Sequence, residues 1–125
     1  MTITRDGMAV SRWMAERLGA DYLMPCEGGV GQVVDGQMVA GLIWYSRDDK
    51  SVWAHLVVDV PTPAFLREAI AAPFEAADEV HFLAHEDHAP LRRLAQRLGA
   101  ESVPPDDSRS GQGWTQHRLR RPARI

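Results

Sequence analysis

The chain has 125 residues, enough for one domain with a modest core, and its 45% apolar and 25% charged content is that of an ordinary globule. A formal net charge of −3 argues against general nucleic-acid or membrane-surface binding, and no apolar run approaches the roughly 18 residues that span a bilayer. The lone cysteine, Cys26, excludes an internal disulfide and suits a reducing compartment, and the opening MTITRDG does not read as a signal peptide, so a cytoplasmic protein is expected.

Asp6 is placed to cap a helix whose apolar positions Val10, Trp13, Met14 and Leu18 follow the 3.6-residue period, with Gly19 as its stop. After the irregular passage DYLMPCEGG come two strands, Val30–Val34 and Met38–Ser46, joined at Asp35-Gly36, a dipeptide that tolerates the positive φ of a tight hairpin. Arg47–Lys50 makes the next turn and SVWAHLVVDV the next strand, so residues 30–60 read as an antiparallel meander. Thr62 at N-cap and Pro63 at N1 open a helix that buries Phe65, Leu66, Ala69 and Ile70 and ends near Ala72, ahead of Pro73. Glu79–His85 is a short strand. Asp87 then caps a helix with the apolar stripe Leu91, Leu94, Ala95 and Leu98, stopped by Gly99.

Residues 103–113 read as a loop, Gly113–Leu119 as a last strand, and 118–125 as a basic tail. The fold class is α+β, in the order α-βββ-α-β-α-β. One helix crossing between two strands requires a parallel pair within a mixed, mostly antiparallel sheet, with helices on both faces.

The run VVDGQMVAGLI resembles the second and third strands of the Gcn5-related N-acetyltransferases, which often read "v-d-G-x-x-v-G-x-i". VWAHLVVDVPTPAFLREAIAAPF and EVHFLAHEDHAPLRRLAQRLGAE resemble the later half of that fold, especially its compact bacteriophage version, over roughly residues 22–103. The resemblance implies acetyl-CoA held where the family's fourth and fifth strands splay apart. Leu56, Val57 and Val58 would then pair with the pantetheine arm. Thr62 would stand at the pyrophosphate loop, 59–63, and His88 at the position of a family asparagine. An amine acceptor is the implied second substrate.

Three positions depart from the pattern. The 59–63 loop has no glycine and no arginine, two prolines without N–H groups, and the carboxylate of Asp59, all unfavourable to phosphate. Ala95 stands where the family often has a tyrosine that protonates the departing thiolate, and Ala100 where it has an aromatic. Two functions follow: an N-acetyltransferase, or a catalytically inactive protein on the same fold that binds or assembles, for example with other phage structural proteins in a virion or tail module. Either could form a homo-oligomer.

His55, mid-strand, is the leading general base, its imidazole suited to taking a proton from an amine; the plainer reading is a hydrogen-bonded strand histidine. Glu27, beside Gly28-Gly29, is a second base on the acceptor side or simply a solvated carboxylate. His81 and His85 share a strand face with His88 beyond, which is a weak zinc signal without cysteines, and no metal is expected. Cys26 has no sequence partner for nucleophilic work and reads as a small buried apolar residue. Trp44, Tyr45 and Trp53 lie on adjacent strands and invite cross-strand stacking. The basic tail would be solvated or touch an acidic partner.

Overall fold

The computed structural model describes residues 2–20, 26–59, 62–104 and 113–121. Their elements are β1 (Thr2–Thr4), α1 (Gly7–Leu18), β2 (Gly28–Val34), β3 (Gln37–Ser46), β4 (Ser51–Val58), α2 (Pro63–Ala71), a 3-10 turn (Ala72–Glu75), β5 (Glu79–His85), α3 (Ala89–Arg97), β6 (Glu101–Ser102) and β7 (Trp114–Arg120). Among the described residues they form a seven-stranded sheet in the order β1-β2-β3-β4-β5-β7-β6. Only the β4–β5 pair in it is parallel.

The mixed sheet and its parallel pair are as expected. The expected order lacked β1 and β6, three and two residues long, both too short to carry a period and fixed by pairing with β2 and β7.

The hairpin turn is built by Asp35 at φ 51° and Gly36 at φ 78°, the left-handed pair whose twist matches the flanking strands. Residues of β3 and β4 then alternate between two cores. Ala40, Leu42, Trp44, Val52 and Ala54 face α2, with Phe65, Ala69 and Phe74; Ile43 and Val57 face α1, with Val10 and Met14. Complete burial of Phe65 contributes about 2 kcal/mol.

Helix α1 lies close because Gly31 and Gly41 are register partners and form a notch for Val10. A Cβ at Gly41 would stand 2.8 Å from Val10 Cγ1, and one at Gly31 2.9 Å from Val10 Cγ2. Asp6 caps α1 by accepting the Ala9 N–H, and Gly19 ends it at φ 69°.

Helix α2 starts at the Thr62 cap and gives way to the 3-10 turn around Pro73, whose missing N–H cannot continue the helix. The cap of α3 is a correction. His88, not Asp87, is the N-cap, and its Nδ1 accepts the Leu91 N–H at 3.1 Å. Asp87 lies within the turn closed by the His88 N–H on the His85 carbonyl, and its own N–H donates to His85 Nδ1 at 3.1 Å.

Of the expected α3 stripe only Ala95 is fully buried; Leu91, Leu94 and Leu98 are half-buried. The first residues of the basic stretch, Arg118 to Arg120, lie within β7. Arg118 bonds to Glu101 at 2.6 Å, and Arg121 donates to the carbonyls of Phe74 and Ala77. Residues 122–125 and most of the expected 103–113 loop lie outside the described residues.

Candidate active site

The β4–β5 ladder is short. Ser51 pairs with Glu79, Val52 with Val80 and Trp53 with His81, and there the pairing stops. Yet β4 runs on to Val58, held by β3 as far as the Ala40–Val58 pair, and β5 runs on to His85, held by β7 as far as the His85–Trp114 pair. Each strand keeps its outer partner while the inner edges separate. The result is a fork in the middle of the sheet.

The floor of the fork is polar and locked. His81, 3% exposed, takes the Gln116 side-chain N–H on Nδ1 at 3.1 Å, which leaves its Nε2–H directed at the Glu79 carboxylate, 3.5 Å away. The Trp53 ring meets the His81 ring edge-on at 5.9 Å. Above that floor, His55 is the first β4 side chain on the α1 face beyond the last paired residue of that face, Trp53. Its Nε2 lies 3.1 Å from the Tyr45 hydroxyl of β3, and the two rings stack at 5.5 Å with an interplanar angle of 16°.

At the far end of β4 the Asp59 N–H donates to the Val39 carbonyl, and the Asp59 carboxylate pairs with Arg17 of α1. The Thr62 hydroxyl accepts the Phe65 N–H at 3.1 Å and donates to Gln32 Oε1 at 2.7 Å. Gln32 is fully buried and in turn donates to the Thr2 carbonyl.

No family model matches the sequence, and no curated protein does. Solved structures do match. The chain is similar to the ribosomal-protein-alanine N-acetyltransferase of Brucella melitensis, at 10% identity and a TM-score of 0.65, covering 96% of this chain and 99% of that one. It is similar to the GNAT domain of PAT from S. lividans, at 8% identity and a TM-score of 0.64, covering 94% and 89%. It is also similar to the N-acetyltransferase PseH of Campylobacter jejuni in complex with acetyl coenzyme A, at 12% identity and a TM-score of 0.60, covering 89% and 77%.

The chain has the GNAT fold.

On this GNAT fold the expected site residues separate into groups. His55 stands at the fork. Leu56, Val57 and Val58 supply its β4 edge, with Leu56 and Val58 turned to the α2 core and Val57 to the α1 cluster, so the backbone rather than any one side chain lines the gap. Thr62 has its hydroxyl engaged within the protein. His88 lies past the open end of β5, exposed, with Nδ1 engaged in capping. Glu27 is exposed at the start of β2, its N–H on the Trp44 carbonyl at 2.8 Å, which puts it at the Tyr45 end of the sheet. Val60 and Pro61 of the expected phosphate loop lie outside the described residues.

The expected stacking of Trp44, Tyr45 and Trp53 does not form. Trp44 and Tyr45 are consecutive and point to opposite faces; Trp44 lies over Gly28, and Tyr45 turns diagonally to His55. Cys26 is only partly buried, its Sγ 3.5 Å from the Gly7 carbonyl, and desolvation pushes its thiol up, away from a reactive thiolate. His81 and His88 are engaged as described, and His85 packs edge-on against Trp114 at 4.9 Å. Among the described residues no group of three or more His, Cys, Asp or Glu could hold a metal ion, and no helix is long and apolar enough to cross a membrane.

Sequence reasoning missed Tyr45, Gln116 and Arg17. Tyr45 was findable: the four-residue turn Arg47–Lys50 fixes the register, and that register makes Tyr45 and His55 diagonal neighbours on one face. A separate cavity of about 250 Å³ lies under α3, lined by Arg92, Gln96, Ser102, Thr115 and His117 among others. There His117 stacks on Phe82 at 5.2 Å, and burial, then the nearby Arg92 charge, holds its imidazole below the usual histidine range.

Proposed function

We propose that this protein is an N-acetyltransferase that moves an acetyl group from acetyl-CoA to an amine. The observation that carries the reading is the fork. A parallel ladder ends at Trp53–His81 although both strands continue, which leaves the β4 edge from Ala54 to Val58 without a β5 partner. An extended chain of amides, such as a pantetheine arm, satisfies such an edge as another strand would.

Leu56, Val57 and Val58 hold the arm through their backbone. Acetyl-CoA supplies a thioester whose acyl carbon accepts the amine nitrogen, the C–S bond breaking as the C–N bond forms and CoA leaving as the thiolate. Strand N–H groups at the fork polarise the acyl oxygen, and His55 receives the amine proton. Glu27 serves the approach of the amine from the Tyr45 end. With Ala95 fully buried on α3 in place of a tyrosine, proton return to the thiolate falls to water. Holding the two reactants together supplies most of the acceleration.

The phosphate end fits less well, and this favours a second reading: an inactive descendant used for binding or assembly. Thr62 occupies one of the first amides of α2, Pro63 has none, and the carboxylate of Asp59, a few residues earlier in the chain, is paired with Arg17.

Calorimetry with acetyl-CoA and CoA separates the two readings. Saturable binding tighter than about 100 μM, roughly −5.5 kcal/mol, together with thiol release in the presence of amines, is expected of the enzyme. His55→Ala should then lower kcat about 100-fold and leave the acetyl-CoA Kd unchanged. No heat at millimolar ligand sinks the enzyme and leaves the assembly reading, whose mark is a defined homo-oligomer by light scattering or stable association with virion proteins.

A further inference from the structure

Resting on that reading, we infer that Tyr45 is the positioning residue for His55: its hydroxyl accepts the Nε2–H of the imidazole, which fixes the tautomer in which Nδ1 carries the lone pair that takes the amine proton. The geometry has three independent parts. Register places Ile43 opposite His55 and Tyr45 opposite Trp53, so Tyr45 reaches His55 across a diagonal on the α1 face. The hydroxyl is 3.1 Å from Nε2. The rings also stack, at 5.5 Å and 16°, so the imidazole is fixed in plane as well as in direction.

A half-buried strand histidine needs none of this for packing. Its directly opposed neighbour, Ile43, belongs to the α1 cluster, whereas the phenol of Tyr45 offers the imidazole both a polar atom and a ring face. His55 also stands at the last place where such orientation is useful, one same-face step beyond Trp53, where the fork opens.

In the reacting complex the proton leaving the amine binds Nδ1, while Nε2–H stays donated to the Tyr45 oxygen. The imidazolium so formed is neutralised by loss of the Nδ1 proton to water, and Tyr45 ends as it began. An acceptor at Nε2 leaves Nδ1 as the ring nitrogen with the lone pair. The arrangement is the one by which an acidic or phenolic partner commonly orients a catalytic histidine, here assembled from two neighbouring strands.

The test is a pair of single variants and their combination, read by kinetics and by the ¹⁵N signals of the imidazole. Tyr45→Phe keeps the ring and its stacking but removes the oxygen. It should lower kcat about tenfold, part of the whole general-base contribution, and leave KM for acetyl-CoA unchanged. Because Tyr45 acts through His55, Tyr45→Phe combined with His55→Ala should be no slower than His55→Ala alone. In ¹⁵N spectra of the wild type the Nε2-protonated tautomer should dominate, and in Tyr45→Phe the two tautomers should mix.

An active wild type whose kcat and tautomer signals are unmoved by Tyr45→Phe overturns this inference and leaves the acetyltransferase standing. So does a double variant that loses the product of the two single losses. A wild type that neither binds nor turns over acetyl-CoA overturns the proposed function itself, and the catalytic meaning of the Tyr45–His55 pair with it.

Discussion

Thr62→Ala tests whether the Thr62 hydroxyl serves the protein or a ligand. That hydroxyl caps α2 through the Phe65 N–H and donates to Gln32 Oε1, which lies in a fully buried side chain. Losing the cap costs about 1 kcal/mol. Leaving the Gln32 carbonyl without its donor costs about 1–2 kcal/mol more, since a buried acceptor loses its partner and gains no water. The sum, about 2–3 kcal/mol, should lower Tm by roughly 10 °C in a chain of this size.

Thr62→Ser keeps both bonds and should stay within about 0.5 kcal/mol of the wild type. Combining Thr62→Ala with Gln32→Leu removes the stranded acceptor, so the pair should cost about 1 kcal/mol less than the two single losses added together. Urea unfolding followed by tryptophan fluorescence gives all four values, and calorimetry gives the acetyl-CoA affinity of each folded variant. If Thr62→Ala and Thr62→Ser are equally stable while the alanine variant alone binds acetyl-CoA more weakly, the hydroxyl belongs to the ligand and the capping account is wrong.

Two further outcomes follow from particular contacts. A Cβ at Gly28 would stand 2.2 Å from Trp44 Cζ2, so Gly28→Ala must push the indole aside; a loss of about 1–3 kcal/mol and a changed near-ultraviolet tryptophan spectrum are expected, and an unchanged spectrum would show that the ring is not seated on that glycine. His117 is held below the usual histidine range by burial and by Arg92, so the unfolded chain binds its proton first as pH falls. Its contribution is therefore intact above about pH 6.5 and is lost as pH drops from there through its lower folded value. His117→Phe, which keeps an aromatic on Phe82, should flatten the fall in stability over that acidic window; an unaltered slope in urea titrations would assign the pH sensitivity elsewhere.

The parts of the fold legible in the sequence are those that short-range chemistry decides. Asp6 and Gly19 bracket α1, Asp35-Gly36 makes the hairpin, Thr62-Pro63 opens α2, and Pro73 closes it, each within a few residues. His55 could be singled out as a lone imidazole in a central strand. Its partner is not given by composition, because Trp53 and Tyr45 are both aromatic; it needs the register that the Arg47–Lys50 turn sets, which makes Tyr45 its diagonal neighbour across the strands. The Arg17–Asp59 pair joins positions 42 apart and left no local trace. Asp87 was the better cap by residue type and lost to His88 because the turn after β5 engages Asp87 with His85. The arginines after position 117 read as a tail because charge alone does not reveal that Glu101 and two carbonyls of the 3-10 region wait for them.

The fork itself follows from how the two strands are anchored. β4 is gripped along its outer edge by β3, and its two faces are buried against α1 and α2; β5 is gripped along its outer edge by β7 and lies beside α3. Three paired residues and the contact of Val80 and Leu119 with the α2 core join these two halves. Zipping β4 and β5 further would add a few backbone hydrogen bonds at about 1 kcal/mol each, yet it would have to drag Val57 from the α1 cluster or His85 from Trp114, and a full apolar side chain alone is about 2 kcal/mol. The two costs are comparable to the gain, so the open fork is held by packing on its outer sides. An edge kept open in that way is stabilised by whatever brings its own amides. On the proposed acetyltransferase reading, that is why an amide-bearing acyl carrier would suit it better than a purely apolar ligand, with His55 at the apex already in contact with Tyr45 of the neighbouring strand.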